Sequence, residues 1–302
     1  MKIEVKDYTY ETMPDYNEPV EGAKEIVMSG HEIGVELIPD VVYDHKDDTD
    51  LHLEILKPSI FFEPDRRFPI VLYVQGSAWM KQNLYLEIAQ LSDLARRGYV
   101  VAVVEYRHSG IAHFPAQIID AKNAIRFMKS HAKEYNGDPD QVILTGGSSG
   151  GHVATLAGMT AKTDFFDEPI NDESIDIKGI IDMFGAVNPL MPYGFPTTLD
   201  HQSPTSPEGR MMGFDLNEHK EEAIKACSKT YVNEDFPPML ILHGSKDKTV
   251  YIVESVELYQ ELKKAGKDVE FYIVRNSDHG GMGFWSKEAI DIYDAFIKRC
   301  LS

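Results

Sequence analysis

Ser148 stands in Val142-Ile143-Leu144-Thr145-Gly146-Gly147-Ser148-Ser149-Gly150-Gly151-His152-Val153-Ala154, where an apolar run, a glycine-rich turn and a helical stretch follow without a gap. Such a strand-turn-helix can present a serine hydroxyl as a nucleophile on a strained turn, with the spacing G-x-S-x-G, because only small neighbours allow that backbone. Two registers fit, one centred on Ser148 and one on Ser149; Ser148 is preferred because it leaves Gly150-Gly151 for tight packing where the helix begins. A phosphate-cradling turn fits less well. The Gly-Lys-Ser/Thr ending is missing, and the turn lies mid-chain rather than after the first strand.

A serine attacks a carbonyl only when a base removes its proton and an acid holds that base in place. Downstream, Leu240-Ile241-Leu242-His243-Gly244-Ser245-Lys246-Asp247 places Asp247 just after a buried strand, and Phe271-Tyr272-Ile273-Val274-Arg275-Asn276-Ser277-Asp278-His279 places His279 just after the next. The order Ser, Asp, His is the one used when all three emerge at the carboxyl ends of successive parallel strands. Of the 11 histidines, His279 alone combines this order with a loop position; His243 and His152 read as supporting residues, and Asp278 as a weaker rival to Asp247. Acyl transfer also needs donors for the developing oxyanion. The backbone N–H of Ser149 supplies one, and the loop Val74-Gln75-Gly76-Ser77-Ala78-Trp79, after an early strand, is expected to supply the others.

These loops need a scaffold. Short apolar runs rich in β-branched residues recur at Ile70–Val74, Tyr99–Val104, Val142–Leu144, Gly179–Met183, Met239–Leu242 and Val269–Val274, as strands buried on both faces of a parallel sheet do. Leu51 to Leu56 alternates apolar and polar residues like a half-buried strand, and Pro58 to Pro69 reads as a turn. Helices are expected over Leu84–Arg97, Ala116–Tyr135 and Ile252–Ala265, stopped respectively by Gly98, Asn136-Gly137 and Gly266. The rhythm predicts an α/β fold, mostly a parallel central sheet with helices on both faces. Between Gly185 and Pro237 it breaks into a proline-rich, irregular stretch with one short helix near Glu218–Ala226. One domain over 1–302 is expected, with a lid-like insertion at about 186–236.

Composition narrows the function. With 49 acidic against 30 basic residues and a net charge of −19, nucleic acid and anionic membranes are poor partners, since binding them needs clustered Lys and Arg. Two cysteines, Cys227 and Cys300, make no disulfide framework. The N-terminus carries no signal-like apolar run and no stretch approaches the ~18 apolar residues of a membrane span, so a cytoplasmic location is expected. No metal-ligand spacing occurs, and the chemistry outlined needs no cofactor.

With these segments in place, the chain resembles the α/β-hydrolase esterases and lipases that carry H-G-G-G-W and G-x-S-A-G-G motifs. It looks most like bacterial carbohydrate esterases of the dual feruloyl and acetyl xylan type. The resemblance runs from about Ile38 to the C-terminus and is densest in Tyr106-Arg107, Phe114-Pro115-Ala116-Gln117, Asp120 through Asp138-Pro139, Gly146 to His152, Ser206-Pro207-Glu208, Pro237 to Leu240, His243-Gly244, Asp247 and His279-Gly280. It implies Ser148 as nucleophile, Asp247 as acid, His279 as base, and an oxyanion hole at Gly76, Ser77 and Ala78. Here H-G-G-G-W has become Gln75-Gly76-Ser77-Ala78-Trp79, whose two added side chains narrow the room for a large acyl group. The resemblance further implies an insertion that covers substrate after Gly185, with Trp79, Tyr193, Phe195 and Trp285 as candidate aromatic contacts. The expected activity is removal of acetyl or hydroxycinnamoyl groups from plant-polysaccharide fragments, with a small-molecule or oligosaccharide ester as partner. A small peptidase of the oligopeptidase type and a catalytically silent binding protein are the alternatives. The first would need a site for a peptide terminus, and the second leaves the ordered Ser, Asp and His without a purpose.

Overall fold

The computed structural model describes residues 5–168, 175–190 and 196–302. One eight-stranded sheet runs through it, in the order β1-β2-β4-β3-β5-β6-β7-β8. The strands are β1 (Ile33–Lys46), β2 (Thr49–Ile60), β3 (Phe68–Val74), β4 (Val100–Val104), β5 (Gly137–Gly147), β6 (Gly179–Met183), β7 (Met239–Gly244) and β8 (Val269–Val274). β1 and β2 pair antiparallel at one edge, β2 joins β4 antiparallel, and every pairing from β4 to β8 is parallel.

Period-two alternation sorts the central side chains to the two faces. Ile70, Leu72 and Val74 of β3 face a core shared with α2 (Ala116–Ser130), α3 (Ser149–Met159) and α6 (Val253–Lys264), through residues such as Ile118, Ile125, Leu156 and Leu258. Val71 and Tyr73 point the other way, to α1 (Ile88–Ala95) and α7 (Lys287–Leu301), through Leu91, Leu94, Ile290, Tyr293 and Ile297. α7 buries Ala289, Ile290, Tyr293, Phe296 and Ile297, one stripe of an amphipathic helix, and the Ser286 hydroxyl caps it by accepting from Ala289 N at 3.2 Å.

The chain goes from β3 to β4 on one side, then returns past β3 to place β5 on the other. With right-handed crossovers, that reversal puts α1 and α2 on opposite faces and opens a crevice at the carboxyl ends of β3 and β5. The loop after β3 and the turn after β5 are the two segments brought together there.

Several expectations are corrected. β1, which carries few buried side chains, precedes the first strand read from the sequence. β2 is longer than expected and more than half-buried, because it lies between β1 and β4; Glu54 and Leu56 are buried along with Leu51, Leu53 and Ile55. β2 therefore takes in the first part of the expected turn. α1 begins at Ile88, after a non-helical run over 84–87, and the helix from Ala116 gives way to a 3-10 turn over Ala132–Tyr135. In the irregular region, α4 (Pro207–Met212) and α5 (Lys220–Ala223) form, the first capped by Ser206 with Pro207 at its start.

Glycines close the turn after β5. A Cβ on Gly150 would lie 2.0 Å from Val74 O, and one on Gly146 would lie 2.3 Å from Gly150 O. Both contacts are with backbone, which has little room to move. Gly150→Ala is therefore expected to destabilise the fold by about 1–3 kcal/mol or more, read as a lower urea midpoint at unchanged m-value. An unaltered midpoint would show that the turn has slack.

Candidate active site

Ser148 sits between the last residue of β5 and the first of α3, with φ 55° and ψ −126°. A side chain held at positive φ costs of order 1–3 kcal/mol, and the surrounding hydrogen bonds must hold it there. Ser148 N donates to Met183 O at 3.0 Å, and Ser148 O accepts from His152 N at 3.1 Å. The imidazole of His279 reaches across from the loop after β8, with Nε2 2.7 Å from Ser148 Oγ and Nδ1 2.7 Å from Asp247 Oδ2. Its ring packs edge-on against Phe184, centroids 4.9 Å apart.

Asp247 is buried beneath it. Oδ1 accepts the backbone N–H groups of Thr249 and Val250, both at 2.9 Å, while Oδ2 also meets His243 Nε2 at 3.1 Å. Burial opposes the charged carboxylate, but hydrogen bonds from His243 and His279 outweigh it and hold Asp247 well below the usual carboxylate range. His243 is fully buried, held at its other nitrogen by Ser255 Oγ at 2.8 Å, so it braces the acid and does not reach the serine. Asp278 turns outward to Lys248, 2.8 Å away.

Ser149 takes a different place. Its hydroxyl is buried, accepts from Ser77 N at 2.9 Å and lies 3.2 Å from Tyr106 OH, which itself lies 3.0 Å from Ser77 Oγ. The second serine therefore ties the loop after β3 to the head of α3. This gives a correction: the Ser77 N–H, expected among the oxyanion donors, already has an acceptor. The Ser149 N–H lies at the head of α3, where a helix leaves its donors without intrahelical partners. Gly76 must be glycine, since a Cβ there would lie 2.5 Å from Gly147 O and 2.9 Å from Ser148 Cβ. Ala78 and Trp79 both hold φ 54°. Ser77 Oγ donating to Met80 O at 2.5 Å and Ser109 N and Oγ donating to Trp79 O at 2.8 and 2.9 Å pin the loop in that shape. Gln82 fastens it to the end of β4, donating to Gln75 O and Val104 O and accepting from Tyr106 N.

Trp79 is a second correction. It is 1% exposed and donates from Nε1 to His152 Nδ1 at 3.1 Å, so it does not face the substrate side. The indole can only donate, which leaves the His152 proton on Nε2, shared with Ala226 O at 2.8 Å. Burial pushes the His152 pKa down to about 4, so the ring stays neutral. Trp79, His152 and Ala226 thus bolt the oxyanion loop through α3 to the irregular region.

The open side of Ser148 is a cleft of about 330 Å³, walled by Tyr73, Phe184, Trp285, Glu87, Thr249 and the Gly76–Ala78 loop. Trp285 lines it, packed edge-on against Tyr73. Tyr193 and Phe195 lie outside the described residues. No cleft-lining residue comes from the described part of 186–236. That part instead packs beside the acid loop, where Thr198 N donates to Lys248 O at 3.0 Å. Glu87 was not foreseen, since an acid in the first turn of the helix expected from Leu84 normally reads as solvated. Among the described residues, no cluster of three or more His, Cys, Asp or Glu is placed to hold a metal, and no helix is long and apolar enough to cross a membrane.

Comparison with known proteins places this geometry. The sheet, its crossovers and the serine-bearing turn define an α/β-hydrolase fold, shared with solved esterases. Residues 53–262 match the BD-FAE family, and the chain belongs to it. It is similar to a carbohydrate esterase from gut microbiota solved in truncated form (TM-score 0.74, 26% identity, covering 88% of this chain and 96% of that one). It is also similar to a bifunctional GH43-CE protein of Bacteroides eggerthii (TM-score 0.75, 26% identity, 88% of this chain and 38% of that one). Among curated relatives, the probable carboxylic ester hydrolase LipM of Mycobacterium tuberculosis is 28% identical over 68% of this chain and 47% of its own length. The chain spans about half the length of the curated relatives it matches.

Behind the elbow lies a buried acidic layer. Asp182 Oδ1 accepts Gly185 N at 3.0 Å, while its other oxygen meets no partner among the described residues. Burial pushes its pKa up to about 7, and burial together with Glu208, Asp182 and Asp247 pushes Glu254 well up. A carboxyl whose folded pKa exceeds its unfolded value keeps a proton that the unfolded chain has released. Its contribution therefore falls as pH rises from about 4 to about 7. Asp182→Asn is expected to raise Tm over the parent at pH 8 by at least about 2 °C, with a smaller gain at pH 5, measured by calorimetry. A gain that grew toward acid would contradict this.

Proposed function

We propose that this protein is a serine carboxylic-ester hydrolase, acting through an acyl-enzyme on acetylated sugars or oligosaccharides, with hydroxycinnamoyl esters as the second acyl class. The observation that carries the reading is the unbroken hydrogen-bond chain from Ser148 Oγ through His279 to Asp247, opening on a cleft beside the loop after β3. Ser148 Oγ attacks the ester carbonyl carbon as its proton passes to His279 Nε2. The carbonyl oxygen becomes an oxyanion, received by the backbone N–H groups of Ser149 and Ala78. Collapse breaks the carbon–oxygen bond to the alcohol, and His279 Nε2 returns the proton to the departing alkoxide. Water, deprotonated by the same nitrogen, then attacks the acyl carbon; the acid leaves and Ser148 regains its proton. Asp247 keeps the His279 proton on Nδ1 and stabilises the imidazolium formed in each half.

Support for a sugar ester comes from the carbohydrate esterase neighbours and from Trp285, a partly exposed aromatic wall of the cleft that suits stacking on a ring. The mycobacterial relatives, named a probable carboxylic ester hydrolase and an esterase, support ester hydrolysis without naming a sugar. A peptidase has less support, because the described lining residues include no cation to receive a peptide carboxylate.

Ser148→Ala is expected to lower kcat/KM for p-nitrophenyl acetate by roughly 10⁴ or more. Unchanged turnover would sink the assignment, and loss confined to Ser149→Ala would shift the nucleophile by one residue. Asp247→Asn is expected to lower kcat by roughly 10⁴, since the imidazole would lose the tautomer that the carboxylate enforces. A change below tenfold would rule Asp247 out as the acid.

A further inference from the structure

Glu87 is the one cleft-lining carboxyl among the described residues, and the proposed chemistry leaves it unused. It stands immediately before α1, on the wall shared with Tyr73, Trp285 and Ser77. Its Oε2 is out of contact with solvent and takes no hydrogen bond from any described residue. No Lys or Arg lines the cleft among the described residues, so none of them is placed to pair with it. An unpaired polar atom in such a place costs about 1–3 kcal/mol, a cost relieved when the side chain turns this oxygen to a ligand group in the cleft. Burial alone pushes its pKa up to about 7, so near neutrality the acid and carboxylate forms coexist. The group that suits both forms is a hydroxyl, which can accept from the acid and donate to the carboxylate.

We propose that Glu87 is a specificity-determining residue whose carboxyl hydrogen-bonds a hydroxyl group of the substrate, so that the cleft selects hydroxyl-bearing esters over plain alkyl or aryl ones. This rests on the ester hydrolase reading above. The hydroxyl can belong to a sugar on the alcohol side or to the phenol of a hydroxycinnamoyl group on the acyl side. A site built to hydrogen-bond a hydroxyl discriminates strongly against an analogue that lacks it, because its own polar group is then left unpaired.

The test compares kcat/KM for acetylated xylo-oligosaccharide against p-nitrophenyl acetate, and for methyl ferulate against methyl cinnamate, in the parent protein and in Glu87→Leu, Glu87→Ala and Glu87→Gln. In Glu87→Leu at least one of the two ratios is expected to fall roughly tenfold or more, and in Glu87→Gln by less, since the amide still bonds a hydroxyl. Glu87→Ala gives the same readout should the leucine variant not fold. A fall in the first ratio alone places the hydroxyl on the sugar, and a fall in the second alone places it on the acyl group. Ratios unchanged in both Leu and Ala variants overturn the proposal, as does a selective loss toward a choline ester, which would make Glu87 a cation site. Absence of any turnover of p-nitrophenyl acetate by the parent protein would instead sink the ester hydrolase reading.

Discussion

The turn after β5 works only because three pieces of backbone come closer than side chains would allow. Gly146 lies under Gly150, Gly150 lies against the Val74 carbonyl, and Gly76 lies against Gly147 and Ser148. That contact forces Ser148 to positive φ and lifts its hydroxyl above the sheet. It also fixes the distance between the loop after β3 and the head of α3, and the alignment of Ser77 N with Ser149 Oγ follows from it. Strand order supplies the rest: because β3 and β5 are neighbours and their crossovers diverge, nothing fills the space above them.

Around this contact, buried polar groups act as braces. Asp247 receives two backbone donors and two imidazoles, which keeps it charged in a place where burial would otherwise favour a proton. His152 is held neutral between an indole and a carbonyl, and links the irregular region to the loop after β3. The same fold leaves Glu208, like Asp182, Glu254 and Glu87, with an oxygen unpaired among the described residues, which sets apart carboxyls that are satisfied from those that are not. Two of these lie behind the elbow and bear on stability, whereas Glu87 opens to the cleft.

Much of the scaffold is legible in the sequence because buried parallel strands must be continuously apolar. All six runs read that way coincide with strands. β1 escapes the rule, since an edge strand with one antiparallel neighbour leaves half of its side chains exposed and shows no sustained periodicity. The boundary of α1 is misread for a related reason: Leu84 packs without being helical, and the apolar Tyr85 and Leu86 that follow it are exposed. Trp79 shows the limit for side chains. Its position in the loop after β3 is readable, but its direction depends on a histidine 73 residues further along the chain.

What the amino-acid order itself determined is the strand–turn–helix at Ser148, the sequence of Ser, Asp and His on successive loops, and the glycines that let the turn close. These are local facts, written in spacing and residue size. Which serine hydroxyl meets an imidazole was decided only by the tertiary structure: a one-residue shift along the turn rotates the side chain from the cleft to the interior, and only the packed neighbours show which is which. The same holds for Ser77, whose donor is taken, for Trp79, which props, and for Glu87, which lines the cleft. Their roles arise from contacts between segments distant in sequence, and strand order, not local propensity, fixes those contacts.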